Sequence, residues 1–202
     1  METSRLEAFS DGVFAIAITL LIIEVKVPHV DHDLGDALLR QWPQYAAYVV
    51  SFLIIGIMWV NHHALFAFVR TTDHTLLFVN LTLLMCVAFI PFPTALLADY
   101  VKESGANVAA VVYGGTFTFT ALVYNALWHY IARHRDLHDP ALTPARIRLI
   151  TRRYAAGPVL YGVSAAVGAV SAVATLAICG FLAVLYMLPQ RPEEGEELTA
   201  DA

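Results

Sequence analysis

A mainly apolar run near the amino terminus, from Phe9 to Val27, constrains this chain more than any other feature of its sequence. A hydrocarbon core of about 30 Å requires about 20 predominantly apolar residues in helical form. The run has that length and therefore predicts a membrane-spanning helix. Acidic residues, Glu2, Glu7 and Asp11, stand where a signal peptide would be basic, and no small-residue cleavage site follows. We therefore expect the helix to be retained.

The composition extends this interpretation to the whole chain. Of its 202 residues, 58% are hydrophobic and only 14% are charged, which is far from the balance of a soluble domain. We predict an all-α polytopic membrane protein with six transmembrane helices in one domain, residues 1–188, and an acidic cytoplasmic tail, residues 189–202, that we expect to be disordered. The predicted spans are residues 9–27, 45–69, 76–97, 108–132, 147–166 and 171–188. Pro91 and Pro93 are expected to end the third span.

Lys and Arg are distributed unevenly between the two predicted sides of the membrane. Six spans place both termini on one side, which carries Arg5, Arg70, Arg133, Arg135, Arg146, Arg148, Arg152, Arg153 and Arg191, against Lys26, Arg40 and Lys102 on the other. Cytoplasmic loops carry the excess of Lys and Arg. We therefore expect a multi-pass protein of the cell membrane with both termini in the cytoplasm. The net charge of −5 comes largely from the tail and the first loop, and no nucleic-acid motif accompanies it.

Helical geometry gives the first span two different sides. At 3.6 residues per turn, a stripe of residues stacks along one side, and Asp11 falls well off it; the stripe is Phe9, Gly12, Ile16, Thr19, Leu20, Ile23 and Val27. A carboxylate within a membrane needs a partner, so Asp11 is expected to point into protein. A simpler alternative stays open, in which Ser10 and Asp11 cap a helix start and the stripe is ordinary packing.

Polar side chains from three predicted helices form the main candidate cluster. The favoured interpretation is a structural network that holds the first three helices in register, because a fully satisfied polar network in low dielectric fixes one geometry. Its members are Arg5, Phe9, Ser10, Asp11, Trp59, His63 and Asn80.

Two other classes of function remain as alternatives. A proton-coupled transporter or proton-conducting channel would use Asp11 and the intramembrane histidines, although transporters usually show repeats and broken helices, which are not evident here. An intramembrane hydrolase or metal enzyme would combine Ser10 and Asp11 with His62, His63, His74 and His129. Neighbouring histidines diverge by about 100° on a helix, and helical ligand pairs normally have i, i+4 spacing. The sequence assigns no role to His29, His32 or His129.

One segment of the chain superficially resembles the filter motif of potassium channels, but we reject the match. The segment Val112-Tyr113-Gly114-Gly115-Thr116 has neither the order nor the re-entrant loop of a carbonyl filter. Its glycines are expected to permit close helix contact.

The motif Arg5-x-x-x-Phe9-Ser10-Asp11, with the apolar residues after it, resembles the signature of the transmembrane protein 175 family of potassium channels in its single-repeat prokaryotic form. The resemblance extends to Trp59-x-x-His62-His63, to Asn80, to Pro91-Phe-Pro93-Thr94 and to the six-span length. It therefore covers nearly the whole chain.

The resemblance implies a homotetramer in which the first helix of each subunit lines a pore on the four-fold axis. It implies a constriction or gate at Ile16, Leu20 and Ile23, with Thr19 involved in selectivity. The expected activity is passive K⁺ conduction without a carbonyl filter, and the expected partners are K⁺ ions, the lipid bilayer and three copies of the same chain. The resemblance implies no enzymatic activity, no cofactor and no bound metal beyond permeant K⁺.

Overall fold

A computed structural model of the protein describes residues 3–29 and 32–188. The predicted tail, residues 189–202, lies outside the described residues. The described chain is helical, in agreement with the predicted class. Its helices are α1 (Thr3–Leu20), α2 (Leu34–Arg40), α3 (Trp42–Phe66), α4 (His74–Phe89), α5 (Pro91–Tyr100), α6 (Ala106–Arg133), α7 (Pro144–Gly168) and α8 (Ala172–Met187), with a 3-10 turn at Leu21–Glu24 after α1.

The first helix is shifted toward the amino terminus relative to its prediction. It begins at Thr3, tightens into the 3-10 turn and ends at Glu24, and Val25 has an extended backbone. Pro28 explains this early end, because proline lacks an N–H and disfavours helical geometry in the residue before it. The predicted end at Val27 is therefore wrong by one turn.

The third predicted span is broken rather than ended by its prolines. Helix α4 stops at Phe89, and α5 starts again at Pro91, since proline is tolerated in the first turn of a helix. Buried hydroxyls bridge the break: Thr94 Oγ1 donates to the carbonyl of Ile90 at 2.9 Å and lies 2.8 Å from Ser51 Oγ. Ser51 Oγ lies 2.9 Å from the hydroxyl of Tyr113 on α6.

Small residues bring α6 and α7 into close contact. A Cβ added to Gly114 would lie 2.7 Å from Cα of Ala165, and a Cβ added to Gly168 would lie 2.9 Å from the carbonyl carbon of Ala110. Gly115 has no such neighbour within 4 Å. Only the first glycine of the pair therefore serves the predicted close contact with another helix.

Four helical segments in the described ranges are long and apolar enough to cross a membrane. They are Thr3–Glu24, Trp42–Phe66, His74–Tyr100 and Ala106–Arg133. Helix α7 is not among them, because four arginines lie within its first turns. These residues, which were expected in a linker or at the edge of the helix, are Arg146, Arg148, Arg152 and Arg153. Helix α8 is apolar but has only 16 residues. It begins after Ser171, whose side chain accepts a bond from the backbone N–H of Ala174.

Candidate functional site

The inner face of α1 packs against the other helices. Leu6, Ser10, Phe14 and Ala17 are buried, and Leu21 continues the face into the 3-10 turn. These residues recur at intervals of three or four, which is the period of one helix face. The inner face therefore fixes how α1 is rotated relative to the rest of the subunit.

The opposite side, which we call the outer face of α1, consists of Phe9, Ile16, Thr19, Leu20 and Ile23. Ile16 is 61% exposed, Leu20 41% and Ile23 67% in the single chain. Exposed branched side chains one turn apart form a continuous apolar strip. Within the described part of one subunit, the three residues named as a constriction are all exposed.

Thr19 is placed so that its oxygen is available on the outer face. Its hydroxyl lies 3.0 Å from the carbonyl of Ala15 and 2.9 Å from that of Ile16, and it donates to these backbone acceptors. A hydroxyl has one proton and two acceptor lone pairs. The proton is used within the helix, so the oxygen can act only as an acceptor toward the outside.

Three buried polar side chains connect α1, α3 and α4. Ser10 Oγ donates to the carbonyl of Leu6 at 2.8 Å and accepts from Asn80 Nδ2 at 3.1 Å. Asn80 Oδ1 lies 2.8 Å from His62 Nε2, and His62 stacks on Phe66 with ring centroids 4.4 Å apart. Each amide atom of Asn80 thus has a partner on a different helix.

Asp11 is bound in a separate contact at the edge of α1. Its Oδ1 accepts a bond of 2.8 Å from Trp59 Nε1. His63 is exposed and stacks on Trp59 at 6.4 Å, and Arg5 is exposed as well. The predicted cluster contained His63, but the buried chain runs through His62. The two histidines diverge by about 100° around α3, and sequence spacing alone did not indicate which one faced Asn80.

The residues of the enzyme alternative do not converge on one site. The Ser10 hydroxyl bonds to a carbonyl rather than to a histidine, His74 lies against Phe78, and His129 Nδ1 lies 2.7 Å from a carbonyl of its own helix. Among the described residues no three of His, Cys, Asp and Glu are grouped as metal ligands. His29 and His32 lie on the exposed loop after α1.

Asp73 is the N-cap of α4, the helix that also carries Asn80. Its Oδ1 accepts from the backbone N–H of Leu76 at 2.7 Å, and its Oδ2 accepts from the hydroxyl of Tyr130 at 2.6 Å. The hydrogen bond from Tyr130, followed by that from the Leu76 amide, lowers the pKa of the Asp73 carboxyl below its usual value. This N-cap was not singled out from the sequence, although Asp before an apolar run is a typical signal.

The fold and the exposed face of α1 define a multi-pass α-helical membrane protein. The family described as the endosomal/lysosomal potassium channel TMEM175 matches residues 5–91, from α1 to the first residue of α5. A protein named a potassium channel from Streptomyces collinus is 49% identical over 202 residues, which cover 98% of each chain. The chain belongs to the TMEM175 family, and the predicted family is confirmed.

A solved structure and a vertebrate relative extend this comparison. The crystal structure of a lysosomal potassium-selective channel TMEM175 homolog from Chamaesiphon minutus is similar with a TM-score of 0.82 and 45% identity, over 91% of this chain and 95% of that one. The endosomal/lysosomal proton channel TMEM175 of Gallus gallus is 31% identical over 139 residues, which cover 63% of this chain and 28% of that protein. The fold is therefore shared with a relative of similar length, whereas the vertebrate protein is much longer.

Proposed function

We propose that this chain is the subunit of a potassium channel, and not an enzyme, and that the outer face of α1 lines its conduction path. The names of the Streptomyces and Chamaesiphon relatives support the ion. The observation that carries the assignment to α1 is the exposure of Ile16 and Ile23 opposite a buried inner face. Exposed side chains in a membrane face either lipid or another copy of the chain, and the family match that begins at residue 5, in α1, supports the second.

In this proposal four copies surround a common axis, and their outer faces meet there. Four-fold assembly would cover the apolar strip that a single chain leaves exposed. Helices α7 and α8 complete six crossings per subunit in the cell membrane, with the arginines of α7 reaching the cytoplasmic headgroups as long basic side chains do. The Lys and Arg distribution supports cytoplasmic termini.

Rings of Ile16, Leu20 and Ile23 form the narrow part of the path. An apolar constriction closes by dewetting, and a small tilt of α1 widens it. K⁺ holds its water less tightly than Na⁺, so a collar that strips hydration favours K⁺ modestly, and the Thr19 oxygen replaces one lost water ligand. A carbonyl filter is not required, since Tyr113, Gly114 and Gly115 lie inside the continuous helix α6.

The buried chain of Ser10, Asn80 and His62 has a structural role in this channel. Because it joins the inner face of α1 to α3 and α4, it holds the outer face toward the axis. The Asp11 to Trp59 bond supports the same orientation at the edge.

The test is electrical recording of the purified protein in planar bilayers with K⁺ on one side and Na⁺ on the other. We expect unitary currents and a reversal potential that favours K⁺. Ile16→Asn and Ile23→Asn should increase conductance and reduce the preference for K⁺, because a polar ring holds water in the constriction. Val184→Asn, an exposed position on α8, is the matched control and should behave as the wild type. If both isoleucine variants conduct as the wild type does, α1 does not form the constriction.

Proton conduction is a second candidate, supported by the name of the Gallus gallus relative. Liposomes that contain the protein and a pH-sensitive dye separate the two ions. Dye quenching under a proton gradient, without a K⁺ gradient, would add protons to the permeant ions. Unitary currents in the bilayer would exclude the slower transporter alternative.

A further inference from the structure

A crevice lies between α3, α6, α7 and α8 and has no residue of α1 among its described lining residues. It contains about 620 Å³ of space, counted with its open mouth, and its walls include Ile54, Asn61, Tyr124, Arg153 and Gly157. The mechanism proposed above uses none of these residues.

The crevice is polar at one end and apolar at the other. Tyr154, next to Arg153, accepts a bond from Asn125 through its carbonyl, so Arg153 and Asn125 lie at one level. Tyr161 packs against Phe117 at 5.5 Å, two turns or about 12 Å further along α7. On α3, Asn61 lies toward the polar end of the crevice and Ile54 toward the apolar end. An amphiphile aligned with the helices has the same order of headgroup and chain.

The polar end carries an uncompensated positive charge. Arg153 lies close enough to Tyr154 and Tyr186 to influence both electrostatically. No acidic side chain is among the described residues that line the crevice. Arg153 also lies at the same end of the bundle as the amino terminus of α1, where Lys and Arg are in excess.

Two tyrosine hydroxyls belong to the wall of the crevice. Tyr124 is buried, and its hydroxyl is a hydrogen-bond partner of the Tyr154 hydroxyl. Both side chains line the crevice, so they add polar groups to the wall near Arg153.

The crevice is shaped by a proline in α7. Pro158 lies inside the helix and has no N–H for the carbonyl of Tyr154, four residues earlier. Asn125 Nδ2 donates to that carbonyl at 2.8 Å instead. Gly157 next to the proline leaves space, since a Cβ there would reach only Cβ of Ala121, at 3.6 Å.

We infer that this crevice is a binding site for one anionic membrane phospholipid, with the phosphate at Arg153 and an acyl chain along Ile54 and Gly157. The site goes beyond ion conduction and does not depend on it. The proposal commits to a lipid because the crevice combines a basic end with an apolar end inside a bundle that lies in a membrane.

The test is native mass spectrometry of the full-length protein in detergent, titrated with palmitoyl-oleoyl phosphatidylglycerol or with phosphatidylcholine of the same chains. We expect one phosphatidylglycerol per subunit, bound about tenfold more tightly than phosphatidylcholine, as for one charge-assisted hydrogen bond. Arg153→Gln should abolish this preference. The matched control is Arg152→Gln, which removes the same charge at the same depth outside the crevice and should change the affinity by less than about twofold.

Two further variants keep the proposal falsifiable. Gly157→Leu fills the crevice and should weaken binding of both lipids while the protein stays folded by thermal unfolding. Equal affinity for both lipids in the wild type, or an unchanged preference in Arg153→Gln, would overturn the proposal. A chain that lacks residues 189–202 tests the acidic tail as a competing occupant. If phosphatidylglycerol binds the truncated protein but not the full-length one, the tail and not a lipid occupies the site.

Discussion

Two apolar helix surfaces, the contact between α6 and α7 and the outer face of α1, differ in whether the subunit itself buries them. At the first, Gly114 and Gly168 bring backbones so close that a single methyl group would collide. At the second, Ile16 and Ile23 are mostly exposed in the described part of the subunit. In a membrane, apolar character does not distinguish contact from exposure, because lipid is as apolar as a side chain. Size and shape make the distinction.

The largest effect is expected from Gly114→Ala, which adds a methyl group 2.7 Å from Cα of Ala165. The helices must separate, and overpacking of this kind costs about 1–3 kcal/mol. The midpoint of thermal unfolding in detergent should fall clearly, and the size-exclusion profile should broaden. Gly115→Ala is the control, since nothing lies within 4 Å of it. Equal midpoints for the two variants would show that the α6 to α7 contact is not sterically tight.

Asn80→Leu tests what holds the inner face of α1, and thereby what turns the outer face outward. The substitution leaves His62 and Ser10 without their shared partner, at a cost of about 1–3 kcal/mol for unsatisfied buried groups. We expect a lower thermal midpoint together with altered conduction. Thr82→Val, exposed on the same helix, should leave both properties unchanged.

Asp73→Ala removes the cap of α4 and should cost about 1 kcal/mol. The folded protein lowers the pKa of Asp73, chiefly through Tyr130, so the carboxylate stabilises the fold above its usual pKa of about 3.9. This contribution is lost as the pH falls through the folded pKa. The difference in thermal midpoint between wild type and variant should be constant from about pH 5 to 7 and shrink below about pH 4. A difference that grows on acidification would contradict this assignment.

The smallest effect is expected from Thr19→Val on the outer face, where the side chain is exposed in the described part of the subunit. The ratio of K⁺ to Na⁺ permeability should fall by about two- to threefold. The free energy of that change is a fraction of the free energy of one hydrogen bond, as expected for the loss of one oxygen ligand. The thermal midpoint should not change, because the hydroxyl bonds only to its own helix. Bi-ionic reversal potentials measure the ratio. Thr19→Ser keeps the oxygen and should retain the wild-type value.

The first helix and its two faces could be predicted from the sequence because a long apolar run and a 3.6-residue period are local signals. The cap at Ser171 is local in the same way. The break at Ile90 was less accessible, since a proline that ends one helix is also suited to begin the next. The contacts that accompany the continued helix, from Thr94 to Ser51 on α3 and from Ser51 to Tyr113 on α6, join distant parts of the chain.

The buried hydrogen bonds among Ser10, Asn80 and His62 show that sequence-based prediction meets the same limit at the level of a single residue. His62 and His63 are adjacent and chemically identical, so the choice between them depends on the rotation of α3 relative to α4. That rotation follows from packing between distant segments, which composition and spacing do not encode. The crevice around Arg153 was not predicted for the same reason, because its walls come from four helices.

The hydroxyls that bridge the break between α4 and α5 have only one possible order of protons. A carbonyl can only accept, so the Thr94 proton goes to Ile90. Ser51 must then donate to Thr94, and Tyr113 must donate to Ser51. The sequence of donors is therefore directional, with Tyr113 at its head and the Ile90 carbonyl at its terminus. Loss of the tyrosine hydroxyl would leave the other two protons in place, whereas loss of the threonine hydroxyl would strand the serine proton in the interior. The Ile90 carbonyl would keep its bond from the backbone N–H of residue 94.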